Sequence, residues 1–97
     1  MRKRNTESIG EAIRQYFENN PFLKKKVAES RVLSGWSILF GNTIKNYTTG
    51  IYLKNGVLFI KLSSPILRVE LEPAKEKMIQ ALNNYAGMEI VENIIFR

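Results

Sequence analysis

Apolar residues along the chain follow two different periods, and the change from one to the other divides the sequence into elements. In the middle, TTGIYLKNGVLFIKLS, from Thr48 to Ser63, alternates with period two on either side of Asn55-Gly56 and reads as two strands joined by a two-residue turn. A hairpin that tight needs positive φ at both central residues, which Asn tolerates and Gly adopts without steric cost. The loop length then predicts the register. Leu53 faces Leu58, Ile51 faces Ile60 and Thr49 faces Leu62, while Lys54 faces Val57, Tyr52 faces Phe59 and Gly50 faces Lys61. Opposed residues share a face of the sheet, so one face is aliphatic and reads as core. The other carries two aromatic rings between two lysines; a solvated face has no obvious folding reason to carry them, the bland alternative being that the pair only stabilises the hairpin or lies under another part of the chain.

Helical spacing governs the flanks. Ile9, Ile13, Tyr16 and Phe17 form one apolar stripe, expected to be buried, with Ser8 and Glu11 in capping-box spacing and Thr6 as the alternative cap. Asn20-Pro21 restarts the pattern as N-cap and first helical residue. The second helix is predicted over about Pro21 to Phe40, with Leu23, Val27, Val32, Trp36, Leu39 and Phe40 inward, a close helix contact at Gly35 and a left-handed stop at Gly41. Asn42 to Tyr47 reads as irregular or a single turn. Ser64-Pro65 starts a third helical stretch bearing Leu67, Leu71, Met78 and Leu82. Ile66 to Glu72 also alternates, so a third meander strand is the competing reading. Pro73 lacks the amide hydrogen a helix interior needs, so a kink or two helices meeting there is expected. Gly87 ends the helix. Glu89 to Arg97 closes the chain as a strand, with Ile90, Ile94 and Phe96 on one face and Val91, Ile95 and Arg97 on the other. The fold class is α+β, in the order α-α-β-β-α-β, with helices packed on one face of a three-stranded sheet.

At 97 residues and 44% hydrophobic content, one core and one domain, 1–97, are expected, with residues 1–5 as a mobile basic arm. Fifteen Lys and Arg stand against nine Glu, giving a formal net charge of +6. No acidic residue occurs between Ser30 and Val69, whereas Arg31, Lys45, Lys54, Lys61 and Arg68 all fall in that stretch. The balance favours a polyanionic partner. With neither Cys nor His, the chain lacks thiol nucleophiles, disulfides, the usual zinc ligands and the commonest neutral-pH base. No enzyme activity, cofactor or metal is expected. Glu70, Glu72 and Glu76 read as a solvated face or a docking patch for a basic partner, and Ser63-Ser64 as a cap. The N-terminus has no apolar run behind its basic start, and no stretch approaches the length of a membrane span. The expected location is therefore the cytoplasm.

Several stretches carry a resemblance to a known family: NTESIGEAIRQYF, Trp36 with Phe40-Gly41 at the end of the second helix, NGVLFIKLSSP, LRVELEPAKEKMIQALN and the terminal IVENIIFR. Together they resemble the DciA-like replicative-helicase loaders of bacteria over nearly the whole chain. The resemblance implies a KH-like fold, binding to DNA and contact with the replicative helicase. Longer members continue into a flexible C-terminal tail, whereas this sequence ends at Arg97, so tail-dependent activities are not implied for it. Some relatives carry a zinc ribbon, which a chain without Cys cannot hold. The Gly-x-x-Gly loop of true KH domains is also missing, since none of the six glycines has that spacing.

The candidate contact residues are accordingly elsewhere. Tyr52 and Phe59 are expected to stack bases while Lys54, Lys61 and Arg97 meet phosphates on the open face of the sheet. Lys24, Lys25 and Lys26 sit where the helix dipole disfavours cations, so either they are fully solvated and the repulsion is small, or the cluster is kept for a polyanion and they are further phosphate contacts. Trp36 is expected to pack. The reading is a non-enzymatic adaptor that binds single- or double-stranded DNA without sequence preference, associated with the nucleoid. RNA binding and a protein-interaction module built on Tyr52, Phe59 and Ile95 are the alternatives. No membrane surface is expected as partner, because neither helical stripe is opposed by a strongly basic face.

Overall fold

The computed structural model describes residues 2–97, with side chains described from residue 8 onward. The basic arm expected over residues 1–5 and the Thr6 cap lie outside the described side chains. The elements are α1 (Arg2–Glu18), α2 (Pro21–Tyr47), β1 (Thr48–Lys54), β2 (Val57–Leu62), α3 (Pro65–Leu71), a 3₁₀ turn (Glu72–Ala74), α4 (Lys75–Ala86) and β3 (Asn93–Phe96). This is the expected α+β order, with the third helical stretch divided at the proline. The sheet runs β1-β2-β3, antiparallel on one side of β2 and parallel on the other.

Local chemistry explains most boundaries. Asn20 accepts from the Leu23 amide ahead of Pro21, and Ser64 accepts from the Leu67 amide ahead of Pro65, so both helices begin with an oxygen on an otherwise unpaired donor. That start signal decides Ile66 to Glu72 in favour of helix. At Pro73 the ladder gives way to the 3₁₀ turn, and α4 ends at Gly87 in the left-handed region (φ 86°).

The core lies between α2, α4 and the aliphatic face of the sheet. Leu58 and Ile60 of β2, Ile94 of β3, Val32 of α2 and Leu82 of α4 are fully buried. Each contributes about 1.5–3 kcal/mol of burial. Trp36 packs edge-on against Phe40, with ring centroids 5.0 Å apart, and its Nε1 donates to Thr48 Oγ1 at 3.0 Å. Gly35 lies against the Tyr85 ring of α4, the close helix contact expected there. Asn83 is the buried polar residue of this core. Its Oδ1 accepts from the amides of Ile90 (3.0 Å) and Val91 (2.8 Å), and its Nδ2 donates to the Val91 carbonyl at 3.0 Å.

Five expectations require correction. The stripe on α1 is not buried: Ile9, Ile13 and Tyr16 are 60–64% exposed, and only Phe17 is half-buried. Periodicity identifies an apolar face but not a surface to cover it, and α1 meets the rest of the fold only near its C-terminal end, in a molecule extended over 60 Å. Ser8 lies inside α1 rather than capping it. Gly41 does break α2, but with φ 91° and ψ 175° rather than a left-handed cap, and helix resumes as far as Tyr47; Leu39 beside the break is exposed. In β1, Thr49 is a bulge residue, so Leu62 pairs with Thr48 instead. Finally, Val91 is buried, because β3 begins only at Asn93 and Asn83 holds the preceding segment against the core.

Candidate nucleic-acid interface

The hairpin positions the candidate site. Asn55 and Gly56 have φ of 52° and 81°, and the pairing Gly50↔Lys61, Tyr52↔Phe59, Lys54↔Val57 is the predicted register. Parallel pairing with β3 sets Ile95 beside Phe59 and Asn93 beside Val57. The ladder runs on past the strand, since the Arg97 amide donates to the Ile60 carbonyl and the Arg97 carbonyl accepts from the Leu62 amide, both at 2.8 Å. Three rows thus cross the open face: Lys54, Val57 and Asn93; Tyr52, Phe59 and Ile95; Gly50, Lys61 and Arg97. Among the described residues no helix covers it, and Tyr52 and Ile95 are 48% and 36% exposed.

The planar groups are stacked upon one another. Tyr52 lies nearly parallel to Phe59, at 15° and 4.7 Å between centroids, and the Arg97 guanidinium carbon stands 4.8 Å from the Phe59 centroid. Tyr52 comes from β1 on one side of Phe59 and Arg97 from the β3 side, so Phe59 is the middle of a column, half-buried by its neighbours. Tyr52 remains 48% exposed, and Arg97 is held by a cation–π contact while keeping its hydrogen-bond donors. Lys54 and Lys61 are exposed, and among the described residues neither they nor Arg97 forms an ion pair. Beside Lys61 the surface dips into a hollow of about 120 Å³ lined by Gly50, Tyr52, Phe59, Lys61 and Arg97.

The lysine cluster of α2 is elsewhere. Lys24 pairs with Glu18 at 3.1 Å and Lys26 with Glu29 at 3.6 Å, and Lys26 also lies over the Phe22 ring. Lys25 and Lys26 border a cleft at the turn end of the sheet with Asn55, Gly56, Glu89 and Glu92. Three consecutive positive charges in sequence are therefore a mixed-charge surface in space, and they do not join the column on the sheet. Glu72 pairs with Lys75 at 3.1 Å. Among the described residues there is no cluster of potential metal ligands, and no helix is long and apolar enough to cross a membrane.

The family profile described as Dna[CI] antecedent, DciA, matches residues 8–96, from within α1 to the end of β3. The chain belongs to the DciA family. No curated protein and no solved structure matches it. Membership gives this DciA-family chain a place in replicative helicase loading, among loaders and adaptors rather than catalysts. The matched residues include β1, β2 and β3 and stop one short of Arg97. Sequence reasoning named the column but missed Gly50, although a glycine inside a strand is itself a signal of a bulge or a close approach.

Proposed function

We propose that this chain is a nucleic-acid-binding adaptor of helicase loading, and that the open face of the sheet is where it meets the strand. The observation that carries the reading is the column of Tyr52, Phe59 and Arg97, with Lys61 beside it and no helix above it among the described residues. Tyr52 offers its outer face to a base, Phe59 backs it, and Arg97, Lys61 and Lys54 meet phosphates. Stacking is worth about 1–3 kcal/mol per base and is indifferent to sequence, which suits a loader acting on any strand. Lys24, Lys25 and Lys26, with glutamates among them, contribute less and only to a strand that passes the turn.

Fluorescence anisotropy with labelled single- and double-stranded DNA across a salt series tests this. Binding should weaken steeply with salt, and Tyr52→Ala should lower single-strand affinity by roughly fivefold or more. Lys61→Ala combined with Arg97→Ala should lessen the logarithmic salt slope by about 1.4, two contacts at ~0.7 each. Matching RNA strands establish whether the sugar matters. Unchanged nucleic-acid affinity in these variants, together with lost capture of the helicase, would instead assign the face, with exposed Ile95 at its centre, to protein contact.

A further inference from the structure

Gly50 is an unfavourable residue for its position. Inside a strand, glycine forgoes cross-strand side-chain contact and carries extra conformational entropy. Its backbone is not in the left-handed region, so no torsional demand selects it at the bulge. Nor does packing, because a Cβ there would meet only the Lys61 Cβ, at an ordinary 3.5 Å. What the missing side chain does is leave open the hollow of about 120 Å³ between Tyr52, Phe59, Lys61 and Arg97.

The walls of that hollow specify an occupant. Two are aromatic and two end in unpaired cations, so the site suits a flat ring joined to an anion. Its size is that of one six-membered ring, since a closed apolar cavity of about 150 Å³ holds benzene and this one is open to solvent on one side. Phe59 already has Tyr52 stacked at 4.7 Å and the Arg97 guanidinium carbon 4.8 Å from its centroid, so the room for a further ring is beside the column, where Gly50 leaves it. We infer that the hollow beside Gly50 receives one unstacked nucleobase, with the adjoining phosphate between Lys61 and Arg97, and that it gives the sheet a preference for single strands. The inference rests on the nucleic-acid reading above. A duplex keeps its base faces in the stack and would have to unstack to use the site, whereas a single strand presents them.

The experiment compares, by anisotropy on the full chain, a thymidine oligonucleotide, the same oligonucleotide with abasic positions, and a duplex. The abasic strand keeps the phosphates and loses the rings, and should bind the wild type roughly fivefold or more weakly. Gly50→Val fills the hollow and should lower the ratio of single-strand to duplex affinity by a similar factor, with Gly50→Ala in between. Equal binding of abasic and intact strands overturns the inference, as does an unchanged ratio in a Gly50→Val protein whose circular dichroism melt shows it folded. Should Gly50→Val fail to fold, Gly50→Ala decides, since its Cβ meets only the Lys61 Cβ at 3.5 Å and still intrudes on the hollow: an unchanged ratio there overturns the inference. Binding that weakens on the abasic strand but keeps its single-strand to duplex ratio in a folded Gly50→Val protein removes the pocket beside Gly50 and leaves stacking on Tyr52 standing; absence of any binding by the wild type removes both.

Discussion

Asn83→Ala should be among the most damaging single substitutions in this chain, because one buried side chain there serves three backbone groups. Its removal orphans the amides of Ile90 and Val91 and the carbonyl of Val91, in a segment where both residues are at most 8% exposed. A buried donor or acceptor left unpaired costs about 1–3 kcal/mol. Allowing some hydration from the exposed Met88-Glu89 side, the loss should be about 3–5 kcal/mol, against a total stability of roughly 5–15 kcal/mol for a domain. For a domain of this size that is a fall in Tm of roughly 15 °C or more. Thermal melts followed by circular dichroism give the number, and hydrogen exchange should show protection lost first at the Ile90 and Val91 amides. Asn83→Asp keeps the acceptor for both amides and loses the bond to the Val91 carbonyl, so it should fall between. An alanine variant melting within about 4 °C of wild type would refute the assignment of Asn83 as the pin of this segment. The same pin holds β3 in place, so the alanine variant should also loosen Arg97 from the Phe59 ring.

Ile13→Glu should change stability by no more than about 0.5 kcal/mol in urea titrations at low protein concentration, since Ile13 is 64% exposed; a loss of several kcal/mol would mean that its face is core after all. Gly35→Ala would bring a Cβ to 2.8 Å from Tyr85 Cδ2, so overpacking of about 1–3 kcal/mol should outweigh the gain in helix propensity of about 1 kcal/mol. Combining it with Tyr85→Ala should recover much of the loss, which a double-mutant cycle measures directly. Gly41→Ala has open space for its Cβ yet a φ of 91° to hold, so its penalty of about 1–3 kcal/mol should be torsional and appear as a shifted urea midpoint with unchanged slope.

The parts of the fold that were legible in the sequence are those fixed by neighbours in the chain. Asn55-Gly56 sets the hairpin register because two torsions decide it, and Ser64-Pro65, Pro73 and Gly87 mark boundaries because each acts on the backbone within a turn of itself. Trp36 reads as core from its place on the stripe. What could not be read depends on distant partners. Ile9, Ile13 and Tyr16 have the spacing of a buried face, yet nothing in α1 says whether a surface lies opposite. Val91 alternates outward on paper and is drawn inward by a side chain on α4. At the site, the aromatic pair and its lysines followed from the register, whereas the stacking of Arg97 on Phe59 required the parallel neighbour of β2. For the lysine run of α2, adjacency in sequence gives the charges but not their neighbours: the fold sets Glu18 beside Lys24 and Glu29 beside Lys26.

The mixed pairing around β2 also separates the interface in time. A hairpin closed by two residues forms in roughly 1–10 μs, so Tyr52 can find Phe59 early and locally. The guanidinium arrives on the far side of a crossover containing α3 and α4, a closure that costs more loop entropy than a two-residue turn. A chain in which the hairpin had closed but β3 had not docked would display both rings without their cation.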